Sequence, residues 1–536
     1  MVLARWEELA KSARDFRDQT LSKVDPPFDP LPDPLPLSSQ ELPKKYLTPR
    51  EYELTQDYDA IELLEMLRTR KITSEELTRA FLRRAALAQY AVNCVTELMW
   101  DEAIERAKYL DSLPEPIGPL HGLPISVKEH HGMKGKTCHA SYVAWIGTES
   151  LPSSVNDCLY NAGCVYYVRT TGPQTLMHLE CNNNVYGRTV NPWNRSLTCG
   201  GSSGGEGALL GFRGSVWGLG GDIGGSVRAP ASDNGIYGFK PTSRRLTLQG
   251  MKATNKGRDS VIATIGPLTQ SRETINLFMK VILDNEPWRH DPWLTVKPWT
   301  PVTFTKPLKI AILWSDGVVK PHPPTLRGLK IVADACKAAG MEVVDWEPYQ
   351  HDKAWDIVSR LYFPDGGEDT LAPIKESGEP ILALTKFITE EQPHVKKLDM
   401  HEYWELCIER DAYREEHAEH WNKTSDSGQE VDVILAPVTP GAAPLHDTAR
   451  YWPYTSHWNL LDYPAVVFPV TFVKVEEDKK EEGYTPMNDQ DKYNYDLYDP
   501  EKWVGAPVSL CIVGRRQMDE KVMAALEAVE KAMGRK

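Results

Sequence analysis

No two of the nine cysteines stand in a C-x-x-C pair, and their odd number leaves at least one without a partner. That spacing argues against both a disulfide framework and a thiolate zinc cage, so a reducing, cytoplasmic setting is expected. Basic charge is short as well. Lys plus Arg number 61 against 75 Asp plus Glu, a net charge of −14. Nothing in that balance draws the chain to phosphate backbones or anionic lipid, and no nucleic acid or membrane partner is expected. No run approaches the roughly 18 apolar residues of a membrane span, and the first fifteen residues lack the apolar stretch of a secretory signal. No repeat of fixed period is visible. What is there is 536 residues, 41% hydrophobic and 25% charged, enough to bury a large core in a folded, soluble protein.

Residues Ala4 to Leu21 read as a charged amphipathic helix, and Val24 to Pro43 is dense in proline. Residues 1–56 are therefore expected to form an arm lying on a catalytic body that occupies 57–536. Thr73 followed by Glu76 has capping-box spacing, and Leu77, Ala80, Phe81 and Ala85 recur at helical intervals after it. Leu123–Lys128 and Cys164–Arg169 read as buried strands. Leu308–Trp314, Leu326–Ala339 and Met341–Trp346 read as a βαβ-like unit whose helix closes at Gly340. Further strands are expected at Val431–Pro437, Pro464–Val473 and Pro507–Val513, with a last helix over Asp519–Met533. The fold class is α/β, a central mixed sheet wrapped by helices. Residues 474–503 are crowded with Glu, Asp, Lys and Tyr and read as a charged, solvated surface insertion.

The chemistry concentrates in Thr198 to Pro230, TCGGSSGGEGALLGFRGSVWGLGGDIGGSVRAP. Glycine at that density implies tight turns and close backbone approach. A phosphate-cradling loop would need a lysine after the glycines, and Glu206 stands there instead. Gly200-Gly201-Ser202-Ser203-Gly204 fits the G-x-S-x-G nucleophile elbow, but a polar, proline-bearing stretch precedes it where the elbow requires a strand. A third reading joins both serine clusters to Lys128, at the end of the strand-like Leu123-Pro124-Ile125-Ser126-Val127-Lys128. An exposed lysine there would be only a surface charge. Buried among small residues it would lose its proton and could serve as a base that activates serine without histidine.

GGSSGGEGALLG, followed by GLGGDIGGSVRAP and preceded by PISVKE, resembles the amidase signature family. The likeness runs from about Asp57 to Lys531, and the GGEGALLG variant, VNPWNRSLTCGG and the proline-rich arm are most similar to its fungal acetamidase-like members. The resemblance implies an amidase signature fold and a Ser–Ser–Lys triad: Ser226 as nucleophile, Ser202, after a cis peptide, as the bridging serine, and Lys128 as base. It also implies an oxyanion hole from the backbone N–H groups of Ile223, Gly224, Gly225 and Ser226. The expected activity is hydrolysis of a carboxylic amide, foremost a small aliphatic one such as acetamide, to acid plus ammonia or amine through an acyl-enzyme. Neither cofactor nor metal is expected. The expected partner is a small-molecule amide, with a homodimer possible. Carbamates, esters and longer acyl amides remain open, as does a role as an amidotransferase subunit acting in a complex with tRNA.

Neighbouring residues have plainer readings. Ser203 is expected to be hydrogen-bonded near the triad, and Asp222 with Arg228 to form a scaffold ion pair. His130 and His131 read as packing residues whose rings point to opposite faces of a strand, not as metal ligands. His178 and Cys181 have helical spacing and read as ordinary helix positions. Tyr142, Trp145 and Trp314 could line an acyl pocket, but core packing is the expectation for each. Arg169-Thr170-Thr171 stands where many family members carry Lys-Thr-Asn, and Glu206 where amidotransferase subunits have serine.

Overall fold

A computed structural model describes residues 6–425 and 428–535. Thirteen strands follow in chain order: β1 (Val95–Leu98), β2 (Pro124–Lys128), β3 (Val165–Thr170), β4 (Asn182–Asn183), β5 (Gly187–Arg188), β6 (Trp217–Asp222), β7 (Tyr237–Lys240), β8 (Thr264–Thr269), β9 (Lys309–Ile312), β10 (Glu342–Asp345), β11 (Val433–Pro437), β12 (Ala465–Phe472) and β13 (Pro507–Val513). Eight of them form one mixed sheet in the order β10-β9-β11-β13-β12-β7-β8-β6. β10 and β11 run parallel to β9, while the pairs from β11–β13 across to β8–β6 are antiparallel.

Alternation along these strands feeds two cores. Ile310, Ile312, Val466 and Ile512 enter one cluster, and Ala311, Leu313, Val467 and Val513 the other. Because successive side chains point to opposite faces, a strand covered on both sides must be apolar throughout. The runs at Val433–Pro437 and Pro507–Val513 show this continuity. The expected βαβ unit is present, with helix Pro323–Ala338 between β9 and β10 and Gly340 at φ 81° ending it.

A three-stranded sheet in the order β1-β3-β2 was not foreseen, and its β1 is not among the strands expected from the sequence. β2 runs beside the edge strand β6, since the Ser126 hydroxyl on β2 reaches Ser215 and the carbonyl of Trp217. Lys128 at the end of β2 and Asp222 at the end of β6 therefore meet where the two sheets adjoin.

The Thr73–Glu76 capping box forms by half. The Thr73 hydroxyl accepts from the Glu76 N–H, but the Glu76 carboxylate binds Arg50, and Asp111 accepts from the N–H groups of Ser74 and Glu75. At the N-terminus, helix Trp6–Leu21 lies on β1, the Thr20 hydroxyl accepting from the Leu98 N–H at 3.0 Å. Segment 474–503, expected to be solvated, contains helix Asp489–Leu497 and buries Asp478, held by Arg327 at 2.7 Å and 2.8 Å. Its carboxylates serve as internal acceptors, which leaves no hydrophobic period to read. No helix among the described residues is long and apolar enough to cross a membrane.

Candidate active site

Lys128 is fully buried at the end of β2. Its amine donates to Ser202 Oγ at 2.7 Å and more weakly to Ser203 Oγ at 3.4 Å. Burial pushes the amine down from 10.5 to about 7, against the smaller upward pull of Cys181, Glu206, Asp222 and Glu129. Near neutral pH a large share of the amine is thus unprotonated, and across the same 2.7 Å contact a neutral amine can accept the Ser202 proton.

Ser202 follows a cis Gly201–Ser202 bond, and Ser203 leads into helix Gly204–Gly211. Gly201 and Gly204 admit no side chain: a Cβ would lie 2.5 Å from the Glu180 carbonyl oxygen or from Cys181 Cβ, respectively. A loop, not a strand, leads into Ser202, so the strand that a nucleophile elbow requires is absent there. The Ser203 N–H donates to the Ser226 carbonyl at 3.0 Å and ties the two serine segments together.

Asp222 and Arg228 brace the Ser226 segment. Arg228 donates twice to the Asp222 carboxylate, from Nε at 3.0 Å and Nη2 at 2.9 Å, and both groups are fully buried. Burial alone would raise the Asp222 carboxyl, but Arg228, Lys240 and Asn459 hold it well below the usual carboxylate range. The same carboxylate accepts from the N–H groups of Gly225 at 2.9 Å and Val227 at 3.1 Å. Of the four expected oxyanion donors, Gly225 is therefore engaged in this state. Among the described residues, the N–H groups of Ile223, Gly224 and Ser226 have no recorded protein partner.

Ser202, Asp222, Ile223 and Ser226 line one cavity of about 410 Å³. Its walls are largely apolar and come from Leu176, Met177, Leu248, Met251, Val261 and Ile262. Residues 248–263 carry no sequence signal of such a role, because a loop wall needs neither period nor motif. Glu206 is buried beside the site, where it accepts from Ser126 and Thr170, each at 2.6 Å, and burial raises its carboxyl to about 7. Position 206, which in the sequence argued against a phosphate loop and marked a departure from amidotransferase subunits, joins β2, β3 and helix Gly204–Gly211.

The remaining candidates fall elsewhere. His130 lines the cavity, but its ring lies 4.5 Å from that of His131 instead of on an opposite face, because β2 ends at Lys128 and a turn follows. His178 is not on a helix; it is buried in a loop, its Nε2 2.5 Å from Thr385 Oγ1. Tyr142 and Trp145 stack together at 4.5 Å, and the Trp314 indole donates to Asp345; none of the three lines the cavity. Arg169 is buried between Glu97 and Glu129. Among the described residues, no group of three or more His, Cys, Asp or Glu side chains is arranged to hold a metal ion.

The fold is that of an amide-hydrolysing enzyme: residues 76–523 match the Amidase family model, and the chain belongs to that family. It is similar to the acetamidase of Emericella nidulans, 40% identical over 99% of this chain and 98% of that one, and to the acetamidase of Aspergillus oryzae, 38% identical over the full length of both. Among solved structures it is similar to a fatty acid amide hydrolase, with a TM-score of 0.93 and 35% identity over 99% of this chain and 95% of that one.

Proposed function

We propose that the enzyme hydrolyses linear aliphatic amides, acetamide among them, with Ser226 as nucleophile, Ser202 as proton bridge and Lys128 as base. The observation that carries this reading is the 2.7 Å contact of the buried Lys128 amine, brought down to about 7, with Ser202 on the same cavity as Ser226. Ser226 Oγ attacks the amide carbon while its proton passes to Ser202, and the Ser202 proton passes to Lys128. The carbonyl oxygen becomes an oxyanion that the N–H groups of the 223–226 turn can meet. As the C–N bond breaks, Ser202 returns a proton to the departing nitrogen, which would otherwise leave as an amide anion. Water then cleaves the Ser226 ester and releases the acid.

The test is an alkyl fluorophosphonate followed by peptide mapping, together with turnover of a series of amides, carbamates and esters by the purified chain. Label on Ser226, with Ser226→Ala and Lys128→Ala each losing activity by orders of magnitude, is expected. Label confined to Ser202 would overturn the assignment, and turnover only in a complex with a partner would favour the amidotransferase role.

A second reading, amides of longer acyl chains, is favoured by cavity size. A volume of about 410 Å³ belongs with sites of roughly 300–1,000 Å³ that take drug-sized ligands, and acetamide fills little of it. Across straight-chain amides from acetamide upward, kcat/KM rising with chain length supports this reading, and a maximum at acetamide refutes it.

A further inference from the structure

The two glycines before Ser226 are enclosed by side chains from distant segments. A Cβ on Gly224 would stand 3.0 Å from the Tyr362 hydroxyl, and one on Gly225 would stand 2.5 Å from Thr455 Oγ1. These hydroxyls are not mere walls. Tyr362, fully buried at the end of helix His351–Tyr362, donates to the carbonyl of Ile223 at 2.7 Å. Thr455, in helix Pro453–Leu460, donates to the carbonyl of Gly224 at 2.7 Å.

A trans peptide unit is planar, with its C=O and N–H on opposite sides. Fixing the Ile223 carbonyl on Tyr362 therefore fixes the Gly224 N–H to face the other way, where it has no recorded protein partner. Fixing the Gly224 carbonyl on Thr455 likewise sets the Gly225 N–H, which meets Asp222 at 2.9 Å. Asp222 is in turn held by Asn459 of the same helix at 2.9 Å, and the Thr455 carbonyl accepts from Arg228 at 2.8 Å.

We propose that Tyr362 and Thr455 are positioning residues for the oxyanion site, holding two successive peptide planes of the Ile223–Ser226 turn: Tyr362 sets the unengaged Gly224 N–H, and Thr455 keeps the Gly225 N–H on Asp222, which fixes the backbone presenting the Gly224 and Ser226 donors. The inference rests on the Ser226 reading above. Neither residue touches the substrate. Each acts through a carbonyl whose rotation would displace the turn, for Tyr362 by turning the Gly224 N–H and for Thr455 by pulling the Gly225 N–H off Asp222, and donors aimed in advance stabilise charge without reorganising during reaction.

The experiment measures labelling by an alkyl fluorophosphonate, whose phosphonyl oxygen draws on the same donors, resolved into a maximal rate and a half-saturating concentration. Tyr362→Phe and Thr455→Val should each lower the maximal rate about tenfold, a fraction of the 10²–10³ lost when an oxyanion donor is removed outright. The half-saturating concentration should stay within about twofold, since the lost interaction is made in the transition state. Thr455→Ser, which keeps the hydroxyl, should restore the wild-type maximal rate, a rescue that general loosening of the helix would not give. Wild-type rates in both hydroxyl-free variants, or a Thr455→Ser as slow as Thr455→Val, would overturn the proposal. If Tyr362→Phe fails to fold, the Thr455 pair still decides. Ser226→Ala separates the two ideas: persistent labelling in that variant refutes the nucleophile, whereas its silence beside wild-type rates in the hydroxyl variants refutes the positioning alone.

Discussion

Lys128 and Glu206 are two buried groups brought by burial to the same range, each to about 7, from opposite directions. Free lysine near 10.4 would be almost wholly protonated at neutral pH and useless as a base. With Lys128 as base, kcat/KM should rise with pH through an ionisation near 7 and then level off, and Lys128→Ala should erase that limb from whatever activity remains. A retained limb in the alanine variant would assign it to another group, with His130 the first suspect. The Glu206 carboxylate pulls the amine upward, so Glu206→Gln should move the limb to lower pH, and an unmoved limb would show that the two groups do not communicate. The stability sign runs the same way as the rate. The unfolded lysine binds its proton below about 10.5 and the native one only below about 7, so this site costs stability increasingly as pH falls across that window, and the cost is constant below it.

Helices His351–Tyr362, Met400–Asn422 and Pro453–Leu460 meet through three buried imidazoles. The rings of His351 and His457 stack at 3.9 Å and 14°, and His417 lies 5.3 Å from His457. None of their ring nitrogens has a hydrogen-bond partner among the described residues. Burial drives His351 down from 6.5 to about 3 and His417 and His457 well below their ordinary value. A native state that refuses protons its unfolded chain accepts loses stability as pH falls below about 6.5, and for His351 the loss continues to about 3. Acid should therefore loosen the two helices that carry Tyr362 and Thr455. His351→Phe, which keeps a ring in the stack, should flatten the fall of the thermal midpoint between neutral and mildly acidic pH. A fall as steep as in the wild type would show that this stack does not set acid sensitivity.

Across the whole molecule, the N-terminal segment covers a part of the body that the site depends on indirectly. Helix Trp6–Leu21 supplies the acceptor for the Leu98 N–H, Arg14 donates to the Val185 carbonyl at 2.7 Å, and Phe28 lies under Arg83, 4.7 Å from ring centre to guanidinium. Removing residues 1–47 should lower the thermal midpoint by a few degrees, because each lost kcal/mol is spread over the unfolding entropy of a large chain. Fluorophosphonate labelling of Ser226 should persist below the new midpoint. An unchanged midpoint would show that the arm adds nothing to the fold.

Strands β9 to β13 of the large sheet could be read from the sequence, most plainly where a strand apolar on both faces leaves a continuous run bounded by Gly and Pro, as at Val433–Pro437 and Pro507–Val513, whereas β6, β7 and β8 were not. The glycine–serine block was legible too, since backbone approach of the kind found at Gly201 excludes every other residue. Other features had no local signal. β1, four residues between two helices, was not read as a strand, and the His130–His131 contact depended on where β2 stopped. Tyr362, Thr455 and Asn459 lie more than 130 positions from the turn they support. By itself the sequence determined many of the strand segments and which residues are candidates for the chemistry, because period, glycine density and motif order are local properties. Only the tertiary structure decided that Lys128 is desolvated enough to be a base and which hydroxyls fix the turn before Ser226, because burial and long-range hydrogen bonds arise only when distant segments meet.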